Sequence, residues 1–207
     1  MRRDFAERLH LEMGKNKDIC LLTGDLGYGL WDRIRIDYQD RFFNVGSSEQ
    51  LMLGMASGLA MDGKIPVVYS ITPFVLYRPF EFIRVDLGYQ NLQVTVIGMG
   101  AGLIYSTLGG THHSMEDIAI ASSIPNMTVL APCDPIEMKL ATIWCATKSK
   151  GPVYMRLGKN GFSAQGLHED KVVNRPVKEP KLIAVYSRTI ASFISQQILI
   201  RKLKEKF

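Results

Sequence analysis

As far as about residue 160, segments with a helical apolar period alternate with short runs of consecutive apolar residues, and this alternation limits the fold more than any other feature of the chain. A strand that is apolar at every position has both faces covered. That is the condition of a parallel sheet with helices on each side, and the helices between such strands supply the crossovers. Residues 4–14 read as an amphipathic helix with Phe5, Leu9 and Met13 on one face and Gly14 as its stop. ICLLTGD, FFNVG, IPVVYS, LQVTVIG, MTVLAP and PVYMRL read as strands. Between them, Ser47 and Gln50 form a capping box opening a helix that ends near Gly63, and a second helix runs through Phe82, Val85 and Leu87. A short helix covers residues 114–123, and Asp134 caps the segment DPIEMKLATIWCATKSK. Residues 98–110 hold too many glycines for a helix and are expected to be a loop. The expected fold class is α/β, a three-layer α/β/α arrangement around a mostly parallel sheet of about six strands.

With 46% hydrophobic and 22% charged residues, the 207-residue chain can bury one good core and is not a disordered protein. No run approaches the roughly 18 apolar residues of a membrane span, and the start, MRRDFAERLHLEMGK, has no apolar h-region, so no membrane partner is expected and the expected location is the cytoplasm. The formal net charge of +5 is concentrated at one end. Residues 171–207 carry nine Lys/Arg and two Glu, whereas residues 1–170 carry sixteen Lys/Arg and eighteen Asp/Glu. A basic face for nucleic acid is therefore not expected on the body. Cys20, Cys133 and Cys145 form no C-x-x-C pair and read as reduced core thiols, with no structural metal. The chain divides into a body, residues 1–162, and a linker with a basic tail, residues 163–207, expected to be partly disordered or helical.

Ligands of open parallel sheets bind at the carboxyl ends of strands, which directs attention to the segments 24–29, 46–50, 72–80 and 98–113, read as strand-end loops. The third holds Phe74, Tyr77 and Phe80, which suit either core packing or a ligand platform. Glu49 falls in the first turn of a helix, where the macrodipole alone favours an acid. His112 and His113 are adjacent and cannot share one face, so at most one points into a cleft, and they lack a third ligand at metal spacing. Asp25 suits a turn. Gly98, Gly100 and Gly102 imitate a dinucleotide fingerprint, but Leu103 occupies the third glycine position and no helix follows.

Taken in order, GDLG, FFNVGSSEQLMLGMASGLAMDGKIPVVYS, TPF, AGL, GGTHHSMEDIAIASSIPNMTVLAPCDPIEM and GPVYMRLGK resemble the pyrimidine-binding domain of the transketolase family of thiamine diphosphate enzymes, over about residues 3–162. The resemblance implies the thiamine diphosphate-binding fold. It implies that Glu49 hydrogen-bonds the pyrimidine N1′ of the cofactor and favours its imino tautomer, that Phe74 stacks on the pyrimidine ring with Tyr77 and Arg78 along the same wall, and that Asp25 lies beside the cofactor. His112 matches the histidine that faces substrate oxygens, with His113 where a glutamine usually stands, and Lys159 stands where an arginine grips a substrate phosphate. A lysine neutralises that charge without the bidentate fork. Leu108 replaces the acid that would read a donor hydroxyl, and the place of an earlier loop histidine falls near Met99.

No G-D-G motif with a following asparagine occurs, so the resemblance implies that the diphosphate and Mg²⁺ are held by a diphosphate-binding N-terminal subunit. The implied protein is a truncated C-terminal subunit of a split transketolase, a transferase inactive without its partner that moves a two-carbon ketol unit between sugars or sugar phosphates as a homodimer or heterotetramer. The β subunit of a 2-oxo-acid dehydrogenase, deoxyxylulose phosphate synthase and a binding-only module are the alternatives.

Overall fold

Strands β1 (Ile19–Thr23), β2 (Phe42–Asn44), β3 (Ile65–Ile71), β4 (Thr95–Met99), β5 (Thr128–Leu130) and β6 (Val153–Leu157) form one sheet in the order β2-β1-β3-β4-β6-β5. All five pairings are parallel, so the sheet expected to be mostly parallel is wholly so in the computed structural model, which describes residues 1–132 and 134–158. The register aligns Leu22, Val68, Val96, Tyr154 and Val129 in one row across five strands. Every member of that row lies in the core on one face, and the row beside it, with Leu21, Val67 and Val153, points to the other. The period of two thus explains why the strands read as unbroken apolar runs: each face has its own core.

Helices α1 (Arg2–Lys15) and α6 (Pro135–Thr147) cover the first face through Phe5, Leu9, Met13, Met138, Ala141 and Cys145. A short α2 (Asp32–Asp37) buries Ile34 in the same core. Helix α3 (Glu49–Met61) covers the second face with Met52, Leu53 and Ala56, joined there by the helical segments after β3 and by α5 (Asp117–Ser122). The result is the expected three-layer arrangement, with both layers of helix fixed by apolar burial.

Four local expectations change. Gly14 does not stop α1, which continues to Lys15 and ends with Asn16 in extended conformation. Gly14 is instead a point of close approach, since a Cβ there would lie 2.9 Å from the Tyr38 hydroxyl. Ser47 is not the cap of α3. The Ser48 N–H donates to the Gly46 carbonyl, so the chain is still turning at Ser47, and Ser48 occupies the cap position without a side-chain hydrogen bond. The third strand-end segment is helical. Pro73–Tyr77 and Ile83–Tyr89 are π-helical turns on either side of α4 (Phe80–Phe82), with Arg78 N–H donating to the Pro73 carbonyl at 3.2 Å. Pro73 suits the first position of such a segment because its missing N–H is not needed there. The last helix before β5 begins at Asp117, three residues later than its sequence suggests.

Asp134 does cap α6, its carboxylate accepting from the N–H groups of Ile136 and Glu137 at 2.8 Å each. Asp134→Ala is expected to lower stability by about 1 kcal/mol, measured as a lower denaturant midpoint with an unchanged slope. Burial pushes the Cys20 thiol up to about 11 and that of Cys145 to about 12, so both stay protonated and unreactive near neutrality. Cys133, Lys159, the boundary at residue 162 and the tail lie outside the described residues. No helix among the described residues is long and apolar enough to cross a membrane.

Candidate active site

The chain leaves β1 for β2 on one side, while β3 pairs on the other, so the strand order reverses beside β1. Loops diverge at such a reversal and leave a crevice at the carboxyl ends of the strands. Glu49 sits there, at the first position of α3 and only 2% exposed. Three segments converge on its carboxylate. Ser70, on β3, donates its hydroxyl to Oε1 at 3.1 Å. Arg78 Nη1, from the end of the first π-turn, lies 3.5 Å from Oε2. Gly24, directly after β1, leaves just enough room: a Cβ there would stand 3.4 Å from Oε1. The helix N-terminus, the hydroxyl and the guanidinium thus all turn donors or positive charge towards this buried side chain.

The contacts continue outward from Arg78. Its guanidinium carbon lies 3.9 Å from the centre of the Phe74 ring, stacked over the face. Residues 74 and 78 are four apart, close to one turn of the widened helix, which brings them to one side. The same ring meets His112 in an edge-to-face contact, with centroids 4.9 Å apart and an interplanar angle of 69°, and Tyr105 flanks His112 at 6.0 Å. His112 Nδ1 lies 2.9 Å from the Thr111 hydroxyl, leaving Nε2 for another group. Glu49, Arg78, Phe74 and His112 therefore form one continuous wall, assembled from segments 63 residues apart at the extremes.

The structure does not bring every expected residue onto that wall. The Tyr77 ring packs against the second-face core, and its hydroxyl donates to Glu116 Oε2 at 3.3 Å. Burial, with the charges of Asp117 and Glu116, pushes the Tyr77 phenol up to about 12. A Tyr77→Phe variant is expected to lose a phenolate absorbance step near pH 12 in a spectrophotometric titration, and none near pH 10. Asp25 is exposed at φ 56°, where its carboxylate accepts from Asn44 at 2.9 Å and from Tyr28 at 3.1 Å. It is its neighbour Gly24 that stands beside the Glu49 carboxylate. His113 turns away from His112, placing Nε2 3.3 Å from the Ser106 carbonyl, which bears out the expectation that the two histidines diverge. Phe80 packs on the second-face core. Sequence reasoning missed Ser70; the available signal was a small polar side chain after Tyr69 near the end of an otherwise apolar strand.

The family model for the pyrimidine-binding domain of transketolase matches residues 1–163. The chain belongs to this transketolase family. Two relatives agree in extent. The putative transketolase C-terminal section of Methanocaldococcus jannaschii is 39% identical over 76% of this chain and 50% of that protein. One of the subunits of the apulose-4-phosphate transketolase of Actinobacillus succinogenes is 37% identical over 65% of this chain and 42% of that protein. A solved structure described as a split-gene transketolase in an inactive β4 tetramer is 33% identical, with a TM-score of 0.69 over 77% of this chain and 51% of that one. The chain thus spans about half the length of these transketolase relatives, and the half it shares is the domain carrying the Glu49 wall.

Proposed function

We propose that this chain is the pyrimidine-binding subunit of a split transketolase, which transfers a two-carbon ketol unit between sugars or sugar phosphates when joined by a diphosphate-binding partner polypeptide. The observation that carries the reading is the burial of the Glu49 carboxylate at the sheet reversal, beside an aromatic face that holds a planar cation. Membership of the transketolase family supports it, as do relatives described as a transketolase C-terminal section and as one subunit of a transketolase.

The residues present fit the pyrimidine end of thiamine diphosphate. The Arg78 guanidinium over the Phe74 ring supports the reading that this face accepts a flat, electron-poor group. Arg78 has its side chain half exposed, so it can swing off the ring without disturbing the core. Glu49 Oε1 is held by Ser70, which leaves Oε2 as the oxygen to hold a ring nitrogen and share its proton. Exclusion of water around Glu49 strengthens that hydrogen bond. When bound, thiamine diphosphate supplies the electron sink for breaking and making carbon–carbon bonds next to a carbonyl. His112 presents Nε2 to substrate oxygens beyond Phe74, and Lys159 neutralises a substrate anion. Asp25 and Tyr77 belong to the cofactor's surroundings at the rim, not to the wall.

The diphosphate, Mg²⁺ and their motif are assigned to the partner, residues 1–162 to the catalytic half, and the cytoplasm to the location. The subunit alone is inactive, and the assembly is a homodimer or, with the partner, a heterotetramer. The test mixes the chain with a candidate partner, thiamine diphosphate and Mg²⁺, and identifies products from a ketose donor and an aldose acceptor. Two-carbon transfer supports the reading. Decarboxylation of a 2-oxo acid, or a stable complex with no cofactor binding by calorimetry, contradicts it.

A further inference from the structure

We propose that Asp117, acting with Tyr154 and Arg156, is a positioning unit that fixes the 100–114 loop, and with it His112, against the carboxyl end of the sheet. Asp117 is completely buried at the start of α5. Its partners stand two residues apart on β6, hence on the same face of the sheet. The Tyr154 hydroxyl donates to Asp117 Oδ2 at 2.8 Å, and Arg156 Nε lies 2.9 Å from the same oxygen as an ion pair without an aligned hydrogen bond. Oδ1 has no hydrogen-bond partner among the described residues. A buried charge pair gains little over apolar residues of equal volume, and an unpaired oxygen makes it worse. What the cluster contributes is geometry.

That geometry leads to the loop. Gly98 on β4 lies beside Tyr154, and a Cβ there would stand 2.6 Å from the Tyr154 hydroxyl and 2.9 Å from Thr72 Oγ1, so only glycine lets the tyrosine reach Asp117. Arg156 Nη2 comes within 3.7 Å of where a side chain at Gly102 would begin. Gly102 and Ser114 exchange backbone hydrogen bonds of 2.9 and 3.0 Å, and the buried Ser114 hydroxyl also accepts from Gly102 N–H at 3.1 Å. This bridge closes the loop at its base. Gly100 N–H is held in turn by the Leu157 carbonyl at 2.9 Å, one residue beyond Arg156. His112 stands two residues before Ser114, so its place against Phe74 depends on this base.

The test compares the full chain with its Asp117→Asn and Tyr154→Phe variants by native-state hydrogen exchange. In Asp117→Asn, exchange at the Gly102 and Ser114 amides is expected to speed up at least about tenfold while Leu22, Val68 and Val96 keep their protection. Tyr154→Phe leaves the ion pair and is expected to give about threefold at the same two amides, which keeps the test open if Asp117→Asn fails to fold. Unchanged exchange at Gly102 and Ser114, or an equal increase throughout the sheet, would overturn the proposal. In the assembled enzyme, a part that rests on the transketolase reading, KM for the donor sugar is expected to rise about tenfold in Asp117→Asn with kcat within about threefold; a fall in kcat alone would count against it. A wild-type complex without ketol transfer would sink the transketolase reading, whereas the exchange measurement would still decide this one.

Discussion

Replacing Glu49 with glutamine is expected to lower kcat for ketol transfer by roughly 10²–10⁴-fold, the usual contribution of a positioned proton-sharing group, while leaving the fold intact. Glutamine matches the volume of the buried side chain, and its carbonyl oxygen still accepts the Ser70 hydroxyl where Oε1 does now. It loses the negative charge that faces Arg78 and the ability to hold a shared proton. Because that interaction matters most where charge develops, kcat should fall more than KM rises. Thermal unfolding within a few degrees of wild type would show that the loss is chemical. Equal activity in wild type and Glu49→Gln would remove Glu49 from the chemistry.

Phe74→Leu is expected to act on a different quantity. Leucine keeps contact with the first-face core, which Phe74 partly enters, but offers no aromatic face. Stacking of a base-like ring on an aromatic side chain is worth about 1–3 kcal/mol, so thiamine diphosphate should bind roughly 5–140-fold more weakly in the assembled complex. The same change takes away the ring against which His112 packs, so KM for the donor sugar should rise as well. Calorimetric titration of the cofactor measures the first effect and steady-state kinetics the second.

The fold was legible in the sequence because the central strands β1, β3 and β4 are buried on both faces almost throughout and so stand out as unbroken apolar runs. Leu22, Val68 and Val96 need no alternation to be recognised when cores lie on both sides. The cap at Asp134 was equally legible, since it acts on N–H groups two and three residues away. What escaped is set by longer-range geometry. The π-turns at 73–77 and 83–89 depend on how Val75, Leu76, Ile83 and Leu87 must reach the sheet, which no local propensity contains. The departure of Tyr77 from the wall follows from the same turn, which points Phe74 and Arg78 one way and Tyr77 towards Glu116. Ser70 pairs with a residue 21 positions away, and Asp117 with one 37 positions away. Glu49, Phe74 and His112 could be named one by one from the family resemblance, but their contiguity through Arg78 is a property of the folded chain.

On the proposed function, one half of the active site resides in this chain and a second polypeptide completes it. Adding a diphosphate-binding partner stepwise to a fixed amount of this chain, with thiamine diphosphate, Mg²⁺, ketose and aldose present, measures this directly. The rate is expected to be nil for each protein alone and to rise to a plateau at one partner per chain. Full ketol transfer by the chain alone, or a plateau reached equally well with Glu49→Gln, would contradict it.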